Sequence, residues 1–140
     1  MSYISAELRR LVADRAGYCC EYCLLNQFDN FLPFEIDHII AEKHRGATIE
    51  TNLCLSCSYC NGYKGSDIAS LDPQNDALSL LFNPRKQRWS DHFHLNGAFI
   101  EPLTPEGRVT VFMLRMNDEM QVNEREYLTA EGRYPCQPLN

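Results

Sequence analysis

Two Cys-x-x-Cys pairs, Cys20-Glu-Tyr-Cys23 and Cys57-Ser-Tyr-Cys60, bracket an Asp37-His38 dipeptide, and Asn52 and Asn61 complete the pattern. Thiolates three residues apart on a tight turn can both face one ion. Two such pairs make a closed tetrahedral site of the structural zinc type. Between Cys23 and Cys57 lie 33 residues, more than the roughly 15–20 of a simple zinc ribbon. The excess leaves room for a strand-loop-strand insert, which is where Asp37 and His38 fall. Cys54-Leu-Ser-Cys57 is a competing pair, but a strand over Asn52-Leu-Cys-Leu55 makes Cys54 a packed side chain, so Cys57 and Cys60 are the predicted ligands. Cys19 and Cys136 are assigned no partner.

The order Cys-x-x-Cys, Asp-His-Ile, Asn-Leu, Cys-x-x-Cys-Asn, x-x-Lys resembles the zinc-stapled branch of the HNH endonucleases over roughly residues 17–66. The resemblance implies a ββα-metal fold, in which a two-stranded hairpin packs against a helix around one divalent cation. It implies that His38 is the general base, that Asp37 and Asn61 hold the catalytic metal, and that Asn52 braces the connecting loop. A histidine at the last position of the pattern is replaced here by Asn61, as in other branches of the family, and the replacement bears on metal affinity or preference.

The residues themselves suit that chemistry. Phosphodiester hydrolysis needs an activated water, neutralisation of the phosphate charge and help for the departing oxyanion. A neutral imidazole with a pKa near its ordinary value of roughly 6.5 can take a proton from water at cellular pH. A hard cation held by Asp37 and Asn61 oxygens keeps open positions for phosphate and water, and oxygen ligands point to Mg²⁺ or Mn²⁺ rather than zinc there. Lys64, Arg85, Lys86 and Arg88 are candidate phosphate contacts, with Lys43 and Arg45 of the same standing; a solvated charged face accounts for them equally well. Asp91-His92-Phe-His94 would place both histidines on one strand face, yet no second ligand pair follows at a useful spacing, so it is read as structural. Trp89 and Phe93 are read as core.

The elements that must position these groups are partly legible. Residues 1–16 read as a helix, with Ile4, Leu8, Leu11 and Val12 at helical spacing, Ser5 as cap and Gly17 as a left-handed stop. Residues 33–40 read as a strand, 44–48 as a loop and Asn52–Leu55 as a second strand. A helix runs from Cys57 to Lys64 and closes at Gly65. Further on come a turn at Asp72–Asn75, a short apolar segment at Leu78–Phe82 and a hairpin about Asn96-Gly97. Thr104-Pro105 opens a helix with the apolar stripe Val109, Phe112, Met113 and Met116. Another helix covers 118–128, and the tail with Pro135 and Pro138 is read as loose.

Length and composition set the frame. A chain of 140 residues, 44% hydrophobic and 23% charged, suits one compact globular unit. It has no apolar run near the roughly 20 residues that span a bilayer, and its charged N-terminus is unlike a secretion signal. Seven cysteines cannot all pair as disulfides, and paired Cys-x-x-Cys sequences fit a cytosolic metal protein. The net charge of −6 counts against nucleic acid as partner, although a metal and local basic patches can recruit phosphate.

The reading is therefore an α+β fold: an HNH nuclease core with its four-cysteine zinc site over residues 1–70, and a hairpin-plus-helix extension over 71–140 packed on that core. The predicted function is metal-dependent endonuclease action on DNA, with RNA as a lesser prospect, using structural Zn²⁺ and catalytic Mg²⁺ or Mn²⁺. The alternative is a catalytically inactive, zinc-stapled module that binds nucleic acid or protein.

Overall fold

The computed structural model describes residues 3–137. Its α+β character is the expected one, built among the described residues from three separate two-stranded antiparallel sheets and five α-helices, with three short 3-10 turns between them. Helix α1 (Ala6–Arg15) is capped by Ser5, whose side chain accepts from the Leu8 N–H, and Gly17 follows in the left-handed region. The helix is thus shorter than residues 1–16, and Met1 and Ser2 lie outside the described residues. Val12 is fully buried against Leu53 and Leu55, whereas Leu11 is exposed, so the buried stripe is narrower than the sequence periodicity suggests.

Strand β1 (Glu35–His38) pairs with β2 (Leu53–Ser56), with Asp37 opposite Cys54 and His38 opposite Leu53. The predicted strand over 33–40 is cut at both ends. Pro33 cannot donate to a ladder, and at the far end the Ile40 N–H turns to the Asn52 side chain. Helix α2 (Ser58–Lys64) starts at Cys57, whose sulfur accepts from the Cys60 N–H, and closes at Gly65 with φ 51°.

The second half holds more departures. Strand β3 (Ala69–Leu71) pairs with β4 (Leu78–Leu80) across the Asp72–Asn75 turn, and the segment read only as apolar is this hairpin. Leu71, Leu78 and Leu80 point to solvent while Leu81 and Phe82 are buried. Helix α3 (Trp89–His92) leads into β5 (Phe93–Asn96), which pairs with β6 (Phe99–Pro102). The hairpin turn is Gly97-Ala98, one residue later than predicted, with Gly97 at φ 60°, as a turn with glycine first requires. His92 lies in α3 and His94 in β5, so the two do not share a strand face; His92 Nδ1 is hydrogen bonded to Thr104 Oγ1 at 2.6 Å.

Helix α4 (Pro105–Met113) has Thr104 as its cap and Pro105 in the first turn. Phe112 of its predicted stripe is exposed, and the burial comes from Val109 and from Leu114 and Met116 beyond the helix end. Helix α5 (Glu119–Ala130) extends two residues past the predicted span.

The main buried cluster joins Cys20, Tyr22, Cys23, Cys57 and Cys60 with Phe82, Phe93, Ile100, Leu114 and Tyr134. Burying aromatic side chains from distant segments on the cysteine turns gives the largest apolar gain, about 1.5–3 kcal/mol per fully buried large side chain. Trp89 Nε1 donates to the Tyr22 carbonyl at 2.8 Å, and Tyr134 Oη donates to the Cys23 carbonyl at 2.7 Å. The segment around residue 135 is therefore packed rather than loose: Tyr134 and Cys136 are buried, and Pro138 lies outside the described residues. Cys19 and Cys136, left unpaired by sequence reasoning, form a disulfide. Among the described residues, no helix is long and apolar enough to cross a membrane.

Candidate metal centre and active site

Two tight turns build the cysteine site. In each, a backbone N–H is held by the first sulfur: Cys23 N–H by Cys20 Sγ at 3.5 Å and Cys60 N–H by Cys57 Sγ at 3.4 Å. All four sulfurs are buried and lie within 4.8 Å of one another. A tetrahedron with Zn–S bonds of about 2.3 Å has S···S edges of about 3.8 Å, and Cys23 Sγ and Cys57 Sγ are 3.7 Å apart. Burial opposes charge on Cys20, but hydrogen bonds from Cys23, Cys57 and Cys60 hold its thiol well below the ordinary range. Cys23 and Cys60 are pushed well above it, first by their bonds to Cys20. Four buried sulfurs that must share negative charge suit a divalent cation, and no position is left for water. Cys54 stands outside this group, buried beside Tyr22 Oη and Asp37.

The β1–β2 hairpin and α2 present the remaining polar residues to a cleft of about 610 Å³ lined by Glu35, Asp37, His38, Glu42, Lys43 and Asn61, with Arg9 of α1. Asp37 is almost wholly buried. Its Oδ2 receives Lys64 Nζ at 3.0 Å and Tyr22 Oη at 3.2 Å, while Oδ1 has no protein partner among the described residues. Burial raises the Asp37 carboxyl above its ordinary value, and Lys64 opposes that rise most strongly. His38 Nε2 is 2.9 Å from Thr48 Oγ1 and 3.7 Å from Glu42 Oε1. Asn61 Nδ2 donates to Glu35 Oε2.

Asn52 ties the loop between the strands. Its Oδ1 accepts from the Ile40 N–H at 2.9 Å, and its Nδ2 donates to the carbonyls of Ile40 and Ala47 at 3.0 and 2.9 Å. Gly46 sits inside this knot. A Cβ there would stand 1.7 Å from the Ile40 carbonyl oxygen and 2.9 Å from Asn52 Nδ2, so no larger residue fits without moving the loop that carries Thr48.

The predicted phosphate contacts are scattered. Lys64 is 1% exposed and bound to Asp37 and to the His38 carbonyl; it cannot meet a surface phosphate. Arg85 is ion-paired with Glu21 and lies beside Arg15 and Trp89, away from the His38 cleft. Lys86 lines a smaller pocket with Ile39, Leu80 and Glu106, and Arg88 precedes α3 at the surface. Glu35 and Thr48 were missed. Strand alternation puts Glu35 in phase with Asp37 and could have flagged it, whereas only the folded loop brings Thr48 to His38.

Residues 20–67 match the HNH endonuclease family model. Searches of curated proteins and of solved structures found no match to the chain. The matched span runs from the first zinc-type cysteine to just past α2, and so takes in both cysteine turns, the hairpin and the cleft residues around His38. Over residues 20–67, about a third of its length, this chain is similar to the HNH endonucleases.

Proposed function

We propose that the protein is a metal-dependent endonuclease that hydrolyses phosphodiester bonds in DNA, with zinc in the four-cysteine site serving structure alone. The observation that carries this reading is the convergence of Asp37, His38 and Asn61 on one cleft, with Asp37 Oδ1 unclaimed by protein.

His38 acts as the general base. A hydroxyl and a carboxylate oxygen both face Nε2, which favours a proton on that nitrogen and leaves the Nδ1 lone pair to accept a proton from water. Thr48 and the loop braced by Asn52 fix the ring. Asp37 Oδ1 and the Asn61 side-chain oxygen would be the two protein ligands for Mg²⁺ or Mn²⁺; Lys64 and Tyr22 orient the first side chain, and Glu35 orients the second through the amide nitrogen. When bound, such an ion neutralises phosphate charge and stabilises the departing oxyanion. Two protein oxygens suit a hard cation that keeps most of its coordination sphere for water and substrate.

The test is nicking of supercoiled plasmid in Mg²⁺ or Mn²⁺ beside a chelator control. Wild-type protein should nick, and His38→Ala should lose about 10²–10⁴-fold in rate while keeping its fold and zinc. Wild-type rates in purified His38→Ala would remove His38 from the mechanism. Binding without any nicking under either ion would favour an inactive binding module.

A further inference from the structure

Lysines and arginines that hold the fold together are not available to substrate, and in this protein most of them are so used. Lys64, Arg85, Arg108, Arg115 and Arg133 pair with carboxylates. Arg15 and Arg125 are bound to backbone carbonyls. Among the described residues, Arg9, Arg10, Lys43, Arg45, Lys86 and Arg88 are in none of the ion pairs. Of these six, Arg9 and Lys43 line the cleft that holds His38, although they come from different elements: Arg9 from α1 and Lys43 from the turn after β1. Each has a second cation close by in sequence, Arg10 directly after Arg9 and Arg45 two residues after Lys43.

Their position matters because the cleft is otherwise acidic. Glu35, Asp37 and Glu42 line it, in a chain with 19 acidic and 13 basic residues. One divalent ion offsets two of those three charges and does not by itself attract a polyanion. Asp37 is buried, whereas Arg9 and Lys43 are exposed, so the carboxyl lies deep and the cations lie where a sugar-phosphate backbone would pass. Arg9 is also held in place, because Nε donates to the Ile4 carbonyl at 3.2 Å, while the residue as a whole stays exposed at the cleft.

We infer that Arg9 and Lys43 grip the phosphates flanking the scissile bond, and that this pair, rather than the Arg85–Arg88 cluster, draws the nucleic-acid backbone into the cleft. The inference rests on the nuclease reading above. The loop through Lys43 is the one that Asn52 and Gly46 fasten, so catalytic base and phosphate grip share one support.

The experiment measures binding of fluorescent duplex and single-stranded DNA by anisotropy across a salt series, in a His38→Ala background that prevents cleavage. Each lost phosphate contact lowers the slope of log affinity against log salt by about 0.9 on duplex and about 0.7 on single strands. The Arg9→Gln/Lys43→Gln pair should therefore flatten the slope by about 1.8 on duplex or about 1.4 on single strands. Lys86→Gln/Arg88→Gln should leave it unchanged, and Arg9→Lys should keep the parent slope because charge rather than shape is at stake. A parent-like slope in Arg9→Gln/Lys43→Gln overturns the inference, as does a flattened slope in Lys86→Gln/Arg88→Gln alone. If the His38 protein neither binds nor nicks DNA or RNA, the nuclease reading falls and this inference falls with it.

Discussion

Replacing Lys64 with Met removes one half of a buried ion pair and leaves the other half stranded. Lys64 is 1% and Asp37 6% exposed, and their charged atoms are 3.0 Å apart. At an effective dielectric of about 20, that separation corresponds to about 5.5 kcal/mol of attraction. Breaking such a pair from one side costs about 3–5 kcal/mol, because the surviving charge stays in the interior. Tyr22 still donates to Asp37, which favours the lower half of that range. With an unfolding entropy of about 2.1 cal/mol/K per residue, the loss lowers Tm by roughly 10–17 °C for a unit of this size. Urea unfolding with zinc present measures it, read by the fluorescence of the lone tryptophan, Trp89, which is bonded to the Tyr22 carbonyl. Asp37→Asn/Lys64→Met removes both charges and should recover much of the stability. Lys64→Met should also bind Mn²⁺ with altered affinity, since Lys64 holds one oxygen of the proposed ligand. If Lys64→Met unfolds within about 1 kcal/mol of wild type, below the range for a buried pair, the pairing described here is wrong.

Three other outcomes follow from the same geometry. Cys60→Ala opens the four-sulfur site, and a unit that relies on such a staple should become molten or insoluble; a well-folded, fully active variant, checked by zinc content and near-UV circular dichroism, would refute the metal assignment. Gly46→Ala forces a methyl group against the Ile40 carbonyl and should cost about 1–3 kcal/mol in urea, with a larger proportional loss of nicking because Thr48 and Asn52 move with the loop. Cys136→Ser should lower stability by about 2–4 kcal/mol in oxidised protein, and dithiothreitol should bring wild type to the same midpoint; an unchanged midpoint in both would mean the Cys19–Cys136 bond is not formed in solution.

What the sequence revealed about the site was local. Two three-residue cysteine spacings, Asp-His on a strand and Asn61 after the last cysteine are short-range patterns whose chemistry fixes their meaning. Ser5 and Thr104-Pro105 were legible as caps for the same reason. The misreadings came from groups whose surroundings are distant in the chain. Lys64, the last residue of a short helix that follows a zinc-type cysteine, reads as a surface charge, and only the β1–α2 packing puts it in the interior. The apolar segment Leu78–Phe82 carried no sign of which side chains would be buried, and the hairpin turns Leu78 and Leu80 outward while Leu81 and Phe82 go inward. Cys19 and Cys136 are separated by 117 positions, and no spacing rule reaches that far.

That long separation also orders events in time. The first cysteine turn is clasped by some of the last described residues: Tyr134 on the Cys23 carbonyl, the Cys136 N–H on the Leu24 carbonyl at 2.9 Å, and Cys136 on Cys19. During synthesis, which adds about 5–20 residues per second, residues 20–67 leave the ribosome several seconds before those partners exist. In that interval the first cysteine turn lacks its clasp, and the Cys23 carbonyl is without its Tyr134 partner. The cysteine site therefore has its full support only once nearly the whole described chain has been made.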